Sequence, residues 1–123
     1  MAKSPGHKKW PDHHVIEDRF TDSIQVYFNE VKIAESSNVI KVAEDDHPDR
    51  FYFPREDIKM EYLQPTSEVS ECPFKGKANY FSIKVGDKNS VNAAWSYESP
   101  FDEHIQLKNR IAFYEDKIDE LRT

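Results

Sequence analysis

The chain has 123 residues, of which 37% are hydrophobic and 33% charged, with 23 acidic against 17 basic side chains and a net charge of −6. That length fits one domain, and an aromatic share of 13% argues against disorder, which goes with few aromatics. The acidic balance disfavours nucleic acid and anionic membrane as partners, because phosphate contacts need clustered Lys and Arg. One cysteine excludes an intrachain disulfide and a zinc site built from paired cysteines.

Residues 1–12 read as a loose, slightly basic arm. Pro5, Gly6 and Pro11 interrupt regular structure, and Lys3, Lys8 and Lys9 carry the charge. The opening segment has no apolar run of the secretory kind. No stretch approaches the roughly 20 apolar residues of a membrane span, so a cytoplasmic setting is expected. We divide the chain into an arm with a first short strand, residues 1–22, and a single β domain, residues 23–123.

From Ser23 the pattern is β. Ile24, Val26 and Phe28 alternate with polar neighbours, Asn29-Glu30 makes a turn, and Val31 and Ile33 return inward. "NVIKVAE" (38–44) is a third strand, rich in β-branched residues. "DDHPDR" (45–50) is a loop and "FYF" (51–53) a fourth strand. Pro54 ends it and starts one helical turn. "MEYL" (60–63) reads as a short strand and residues 64–71 as a polar loop.

"KANYFSIKV" is the longest strand signal, with Phe81, Ile83 and Val85 on one face and Ala78, Tyr80, Ser82 and Lys84 on the other. "GDKN" (86–89) turns the chain into "SVNAAWSY", with Val91, Ala93, Trp95 and Tyr97 expected on one face. Residues 99–110 form a loop or short helix, 111–114 a last strand, and "EDKIDELRT" a helical turn with Ile118 and Leu121 at i, i+3. Strands at this spacing with little helix indicate an all-β domain.

Three groups of residues have the chemistry for a site. Cys72 lies three positions from Lys75, and an ammonium beside a thiol favours the reactive thiolate; the alternative is a buried cysteine acting as a small hydrophobe. "YFPRED" supplies Arg55, whose planar fork suits carboxylate or phosphate, with Glu56 and Asp57 as acceptors; the alternative is a solvated turn. Tyr52, Tyr80, Trp95 and Tyr97 are aromatics of the kind that line pockets, or cross-strand packing pairs. The five histidines lack the spacing of a metal site, and no metal is expected.

The blocks "NEVKIAES", "YFPREDIKMEYL", "CPFKGKANYFSI", "NAAWSYESP" and "IAFYEDKID" resemble the signature of the family called domain of unknown function 427, across most of residues 23–120. The resemblance implies a compact β-tent of two small antiparallel sheets, a fold shared with methionine sulfoxide reductase B and with zinc-binding chaperones of small GTPases. With one cysteine, the zinc site of those relatives is not expected here. The family also carries a nucleotidyltransferase label. That chemistry needs paired carboxylates for magnesium, and Glu44, Asp46, Glu56 and Asp57 are the available ones. Where members often carry a glycine before the final "AFY" block, this chain has Asn109, which tolerates a left-handed backbone.

The reading is a small β domain with one pocket where the 72–76 segment, the 52–57 turn and the Trp95–Tyr97 strand converge. Tyr52, Arg55, Asp57, Tyr80, Trp95 and Tyr97 are the expected ligand-binding residues for a small anionic molecule, with no cofactor. In an enzyme, Cys72 would be the nucleophile, Lys75 its activator and Arg55 the anion clamp. The alternatives are an interaction module without catalysis and a nucleotidyltransferase.

Overall fold

The structure is a computed structural model, and it describes residues 3–123. A short helix, α1 (Pro5–Lys9), precedes ten strands: β1 (Val15–Phe20), β2 (Ile24–Phe28), β3 (Val31–Ser36), β4 (Val39–Glu44), β5 (Arg50–Phe53), β6 (Leu63–Cys72), β7 (Gly76–Val85), β8 (Lys88–Tyr97), β9 (Ile111–Phe113) and β10 (Glu120–Arg122). Seven strands in the order β1-β4-β5-β9-β8-β7-β6 make one sheet, and β10-β2-β3 make the other. All strand pairs are antiparallel. The fold is therefore all-β, built from two antiparallel sheets, as the sequence indicates. No helix among the described residues is long and apolar enough to cross a membrane.

Local chemistry sets the turns. Asn29 and Glu30 both have positive φ, 49° and 66°, the pair that a two-residue hairpin needs to match the strand twist. Asn109 has φ 64°, the left-handed backbone expected of it, and its N–H donates to the Tyr97 carbonyl at 3.0 Å. Gly76 has φ 118°, a conformation that side-chain-bearing residues rarely adopt. It lets β6 reverse into β7 directly after Lys75.

Strand parity sends alternate residues to two cores. Ile24, Val26 and Ile33 of the small sheet pack against Phe81, Ile83, Val85 and Phe113 of the large one, so the main core lies between the sheets. The other face of the large sheet carries Ile40, Val42, Tyr52, Ala78, Trp95, Tyr97 and Ala112, joined by Leu107. β7 divides between the faces as its alternation requires, Phe81, Ile83 and Val85 to the first and Ala78 and Tyr80 to the second.

Four expectations are corrected. Residues 64–71 are strand, not loop: β6 is an edge strand, where Pro65 has no ladder N–H to supply and polar side chains face water. Residues 60–62 are a 3-10 turn rather than strand. The tail forms its turn at Glu115–Lys117 and then extends as β10, because Glu120–Arg122 pairs with β2. Val91, Ala93, Trp95 and Tyr97 do not share a face. Asn92 has φ 51° at a shift in the β7–β8 register, and this rotates the strand. Val91 is exposed, Ala93 enters the main core, and Trp95 and Tyr97 stay on the second face.

The arm is also more ordered than its composition suggests. Pro5 occupies the first helical position, where its missing N–H costs nothing, and the Ser4 hydroxyl accepts from the His7 N–H.

Candidate functional site

The second face of the large sheet is incompletely covered and forms a cleft of about 370 Å³. Its floor is Val42 from β4, Tyr52 from β5, and Trp95 and Tyr97 from β8. One wall is the β6–β7 turn, Cys72 to Lys75, and the other comes from the β4–β5 connection, with Glu44, His47 and Arg50. Tyr80 and Tyr114 also line it. The floor follows from register: Tyr52 and Trp95 both lie opposite Ala112, one on each side of β9. The small Ala112 lets the two large rings meet edge to face, 6.0 Å between centroids. Trp95 Nε1–H donates to the Tyr52 hydroxyl at 3.2 Å, giving each buried polar group a partner.

Six of the expected site residues meet here: Cys72, Lys75, Tyr52, Tyr80, Trp95 and Tyr97. Cys72 is half-buried in the wall. Arg55 and Asp57 do not join them. Arg55 Nε–H donates to the Asn109 carbonyl at 2.6 Å, and Nη2 reaches Ser96 Oγ and Glu98, each at 3.1 Å. Asp57 accepts from Ser36 Oγ at 2.6 Å. Ser96 lies between Trp95 and Tyr97 on β8, so its side chain points to the opposite face from theirs. Arg55 follows it there and is engaged in structure.

Lys75 is also committed. Its ammonium is buried and pairs with Glu44 Oε1, while Glu44 Oε2 accepts from His13 Nε2 at 2.9 Å. Burial pushes the Glu44 carboxyl up, but the hydrogen bonds from Lys75 and His13, with the charges of Lys75 and His47, outweigh it, and the carboxyl lies below its usual value. An ammonium so engaged is not free to grip an anion.

Among the described residues, the cation that faces the cleft with its donors open is Arg50, which sequence reasoning missed. It stands two residues before Tyr52 in the same strand, and that spacing alone places the two on one face. Its guanidinium carbon lies 5.4 Å from the Trp95 ring centroid and 5.2 Å from that of Tyr114. Among the described residues no carboxylate pairs with it within 4 Å; the ion pairs nearby use Lys41 with Asp49 and Lys75 with Glu44. The surrounding phenols stay protonated at neutral pH: burial pushes Tyr52 and Tyr97 up strongly, and burial with the neighbouring Tyr80 hydroxyl pushes Tyr114 up to about 12. The Tyr80 hydroxyl is shared with Ser70 at 2.8 Å and Tyr114 at 3.5 Å. Among the described residues, no three of His, Cys, Asp and Glu converge in a way that could hold a metal ion.

A family model described as a domain of unknown function (DUF427) matches residues 17–123, and the chain belongs to that family. No curated protein matches it.

Proposed function

We propose that this DUF427 protein binds a small ligand in the cleft, one that carries an anionic group beside a flat or apolar body. The observation that carries the reading is Arg50: a half-buried guanidinium laid over Trp95 and Tyr114, with no acidic partner among the described residues, at the mouth of an aromatic cleft. A guanidinium held this way offers a planar fork to carboxylate or phosphate, and stacking on the rings restricts it before a ligand arrives. Tyr80 and Tyr114 present hydroxyls for further hydrogen bonds, and the floor of Tyr52, Trp95 and Tyr97 supplies apolar contact. Arg50 takes the role of anion clamp that the sequence suggested for Arg55. Nucleotidyl transfer draws no support from the cleft, since Glu44 is paired with Lys75 and Asp57 with Ser36.

The test uses thermal shift and alkylation with phosphate, pyrophosphate, nucleoside monophosphates and aromatic carboxylates as probes. A probe that binds the folded state raises its stability by about 2.7 kcal/mol at a concentration 100 times its Kd. A binding probe is expected to protect Cys72, which shares the cleft, from iodoacetamide, and Arg50→Gln is expected to remove both effects. If no anionic probe stabilises the wild type, or if Arg50→Gln responds equally, the reading is wrong.

A further inference from the structure

The 72–76 turn that walls the cleft is held from behind by the N-terminal arm. Ser4 Oγ–H and the Gly6 N–H both donate to the Pro73 carbonyl, at 2.6 and 2.7 Å, so each lone pair of that oxygen is used. The approach is close: a Cβ at position 6 would lie 2.6 Å from the Pro73 oxygen and 2.8 Å from Phe74 Cδ1. Phe74, next to Lys75, is stacked by His13 at 4.2 Å and met edge-on by His7 at 5.0 Å.

Two contacts tie α1 and its N-cap to the Asp102–Leu107 turn on the other side: the Ser4 N–H donates to the Glu103 carboxylate at 3.0 Å, and the second joins two imidazoles. His7 Nε2 lies 2.8 Å from His104 Nε2. His104 is buried, and its Nδ1–H donates to the Glu17 carboxylate. With Nδ1 committed as the donor, neutral His104 presents Nε2 as an acceptor, and His7 supplies the proton. The contact holds only one proton between the two nitrogens. When both imidazoles are protonated, two N–H groups face each other and the attraction becomes repulsion.

We propose that the Glu17–His104–His7 chain is a proton-controlled latch, which holds α1 against the 72–76 turn when the two imidazoles share one proton and releases it when both are charged. As regulation of the cleft it rests on the reading of the cleft as a binding site; as a movement of the arm it stands alone. The charged groups around His7 come from five segments: His104 and Glu103 from the Asp102–Leu107 turn, Glu17 from β1 behind His104, Glu44 from β4, Lys75 beyond it from the 72–76 turn, and His13 from the arm. Burial and then His104 push the His7 imidazole below its ordinary 6.5, Glu103 opposes, His13 adds to the lowering, and Glu44 opposes. The net shift is downward. The latched state therefore binds fewer protons than the released one, so its stability is full above about pH 6.5 and is lost as pH falls through the window below.

The experiment is a ligand-free NMR titration of the full chain from about pH 8 to about pH 5, the range in which an imidazole changes charge. Gly6 amide protection, taken relative to unfolded-chain exchange rates, is expected to fall by about tenfold or more. The Phe74 and Lys75 amide peaks are expected to move in the same step while β7 and β8 stay protected. In His7→Gln, whose amide does not titrate, the step is expected to vanish, whether the Gly6 amide is protected or open throughout. The latch is overturned if Gly6 protection is flat in the wild type, if the step persists unchanged in His7→Gln, or if β7 and β8 open with it. No ligand enters this test, so its failure leaves the binding reading standing, and the converse holds.

Discussion

Replacing Lys75 by Met tests whether the cleft wall depends on its buried ion pair. The Lys75 side chain is 7% exposed and that of Glu44 10%, so the substitution strands a carboxylate largely away from water. Removing one partner of a buried pair costs about 3–5 kcal/mol. Here the cost is reduced because His13 still donates to Glu44 at 2.9 Å, which brings the expected loss to about 2–3 kcal/mol at pH 8. For a domain of this length that is a fall in Tm of about 8–12 °C.

The pH dependence has a definite sign. The Glu44 carboxyl is held below its ordinary 4.5, so the pair's contribution is present above that value and is lost as pH falls through the lower, folded-state value. In Lys75→Met, His13 is the remaining partner. Urea unfolding at several pH values measures this, with Glu44→Gln and the double variant completing a cycle. The double variant should lose less than the sum of the singles, with a coupling of at least about 1 kcal/mol. A coupling below about 0.5 kcal/mol would falsify the view that this pair is desolvated and integral to the wall.

Two other substitutions probe the floor and the turns. Tyr52→Phe leaves Trp95 Nε1–H buried without its acceptor and should cost about 1–3 kcal/mol in urea unfolding; no change would mean that water reaches the indole. Glu30→Gly places glycine where φ is 66° and completes the Asn-Gly pair preferred in two-residue hairpins. It should stabilise by about 0.5–1 kcal/mol, read as a rise in Tm, and a fall would show that the Glu30 side chain contributes something the backbone argument omits.

The arm is joined to the wall by side chains and one backbone hydrogen bond, from Gly6 N–H to the Pro73 carbonyl, rather than by strand pairing. Lys75, Glu44 and His13 form one continuous set, and His7, His104 and Glu17 form a second. Phe74 lies between them, with His13 on its face and His7 at its edge. The cleft wall is thus positioned from the arm side by groups whose charge state depends on pH.

The sequence by itself determined whatever depends on near neighbours. The β2–β3 and β7–β8 hairpins, the left-handed Asn109 and the opposed faces of β7 all follow from strand parity and from backbone preferences at single residues. Parity is also sufficient to put Arg50 beside Tyr52, although the "YFPRED" motif, richer in charge, points to Arg55. Parity failed where Asn92 inserts a bulge, since a register shift depends on the partner strand. Only the tertiary structure decided which charges are free. The large sheet brings Lys75 to Glu44, 31 positions away, and His104 to Glu17, 87 positions away, while sending Arg55 to Glu98 and leaving Arg50 open. Ion pairs and shared protons form between whichever side chains the strand order makes adjacent, and the order β1-β4-β5-β9-β8-β7-β6 joins strands far apart in the chain, which no local pattern encodes.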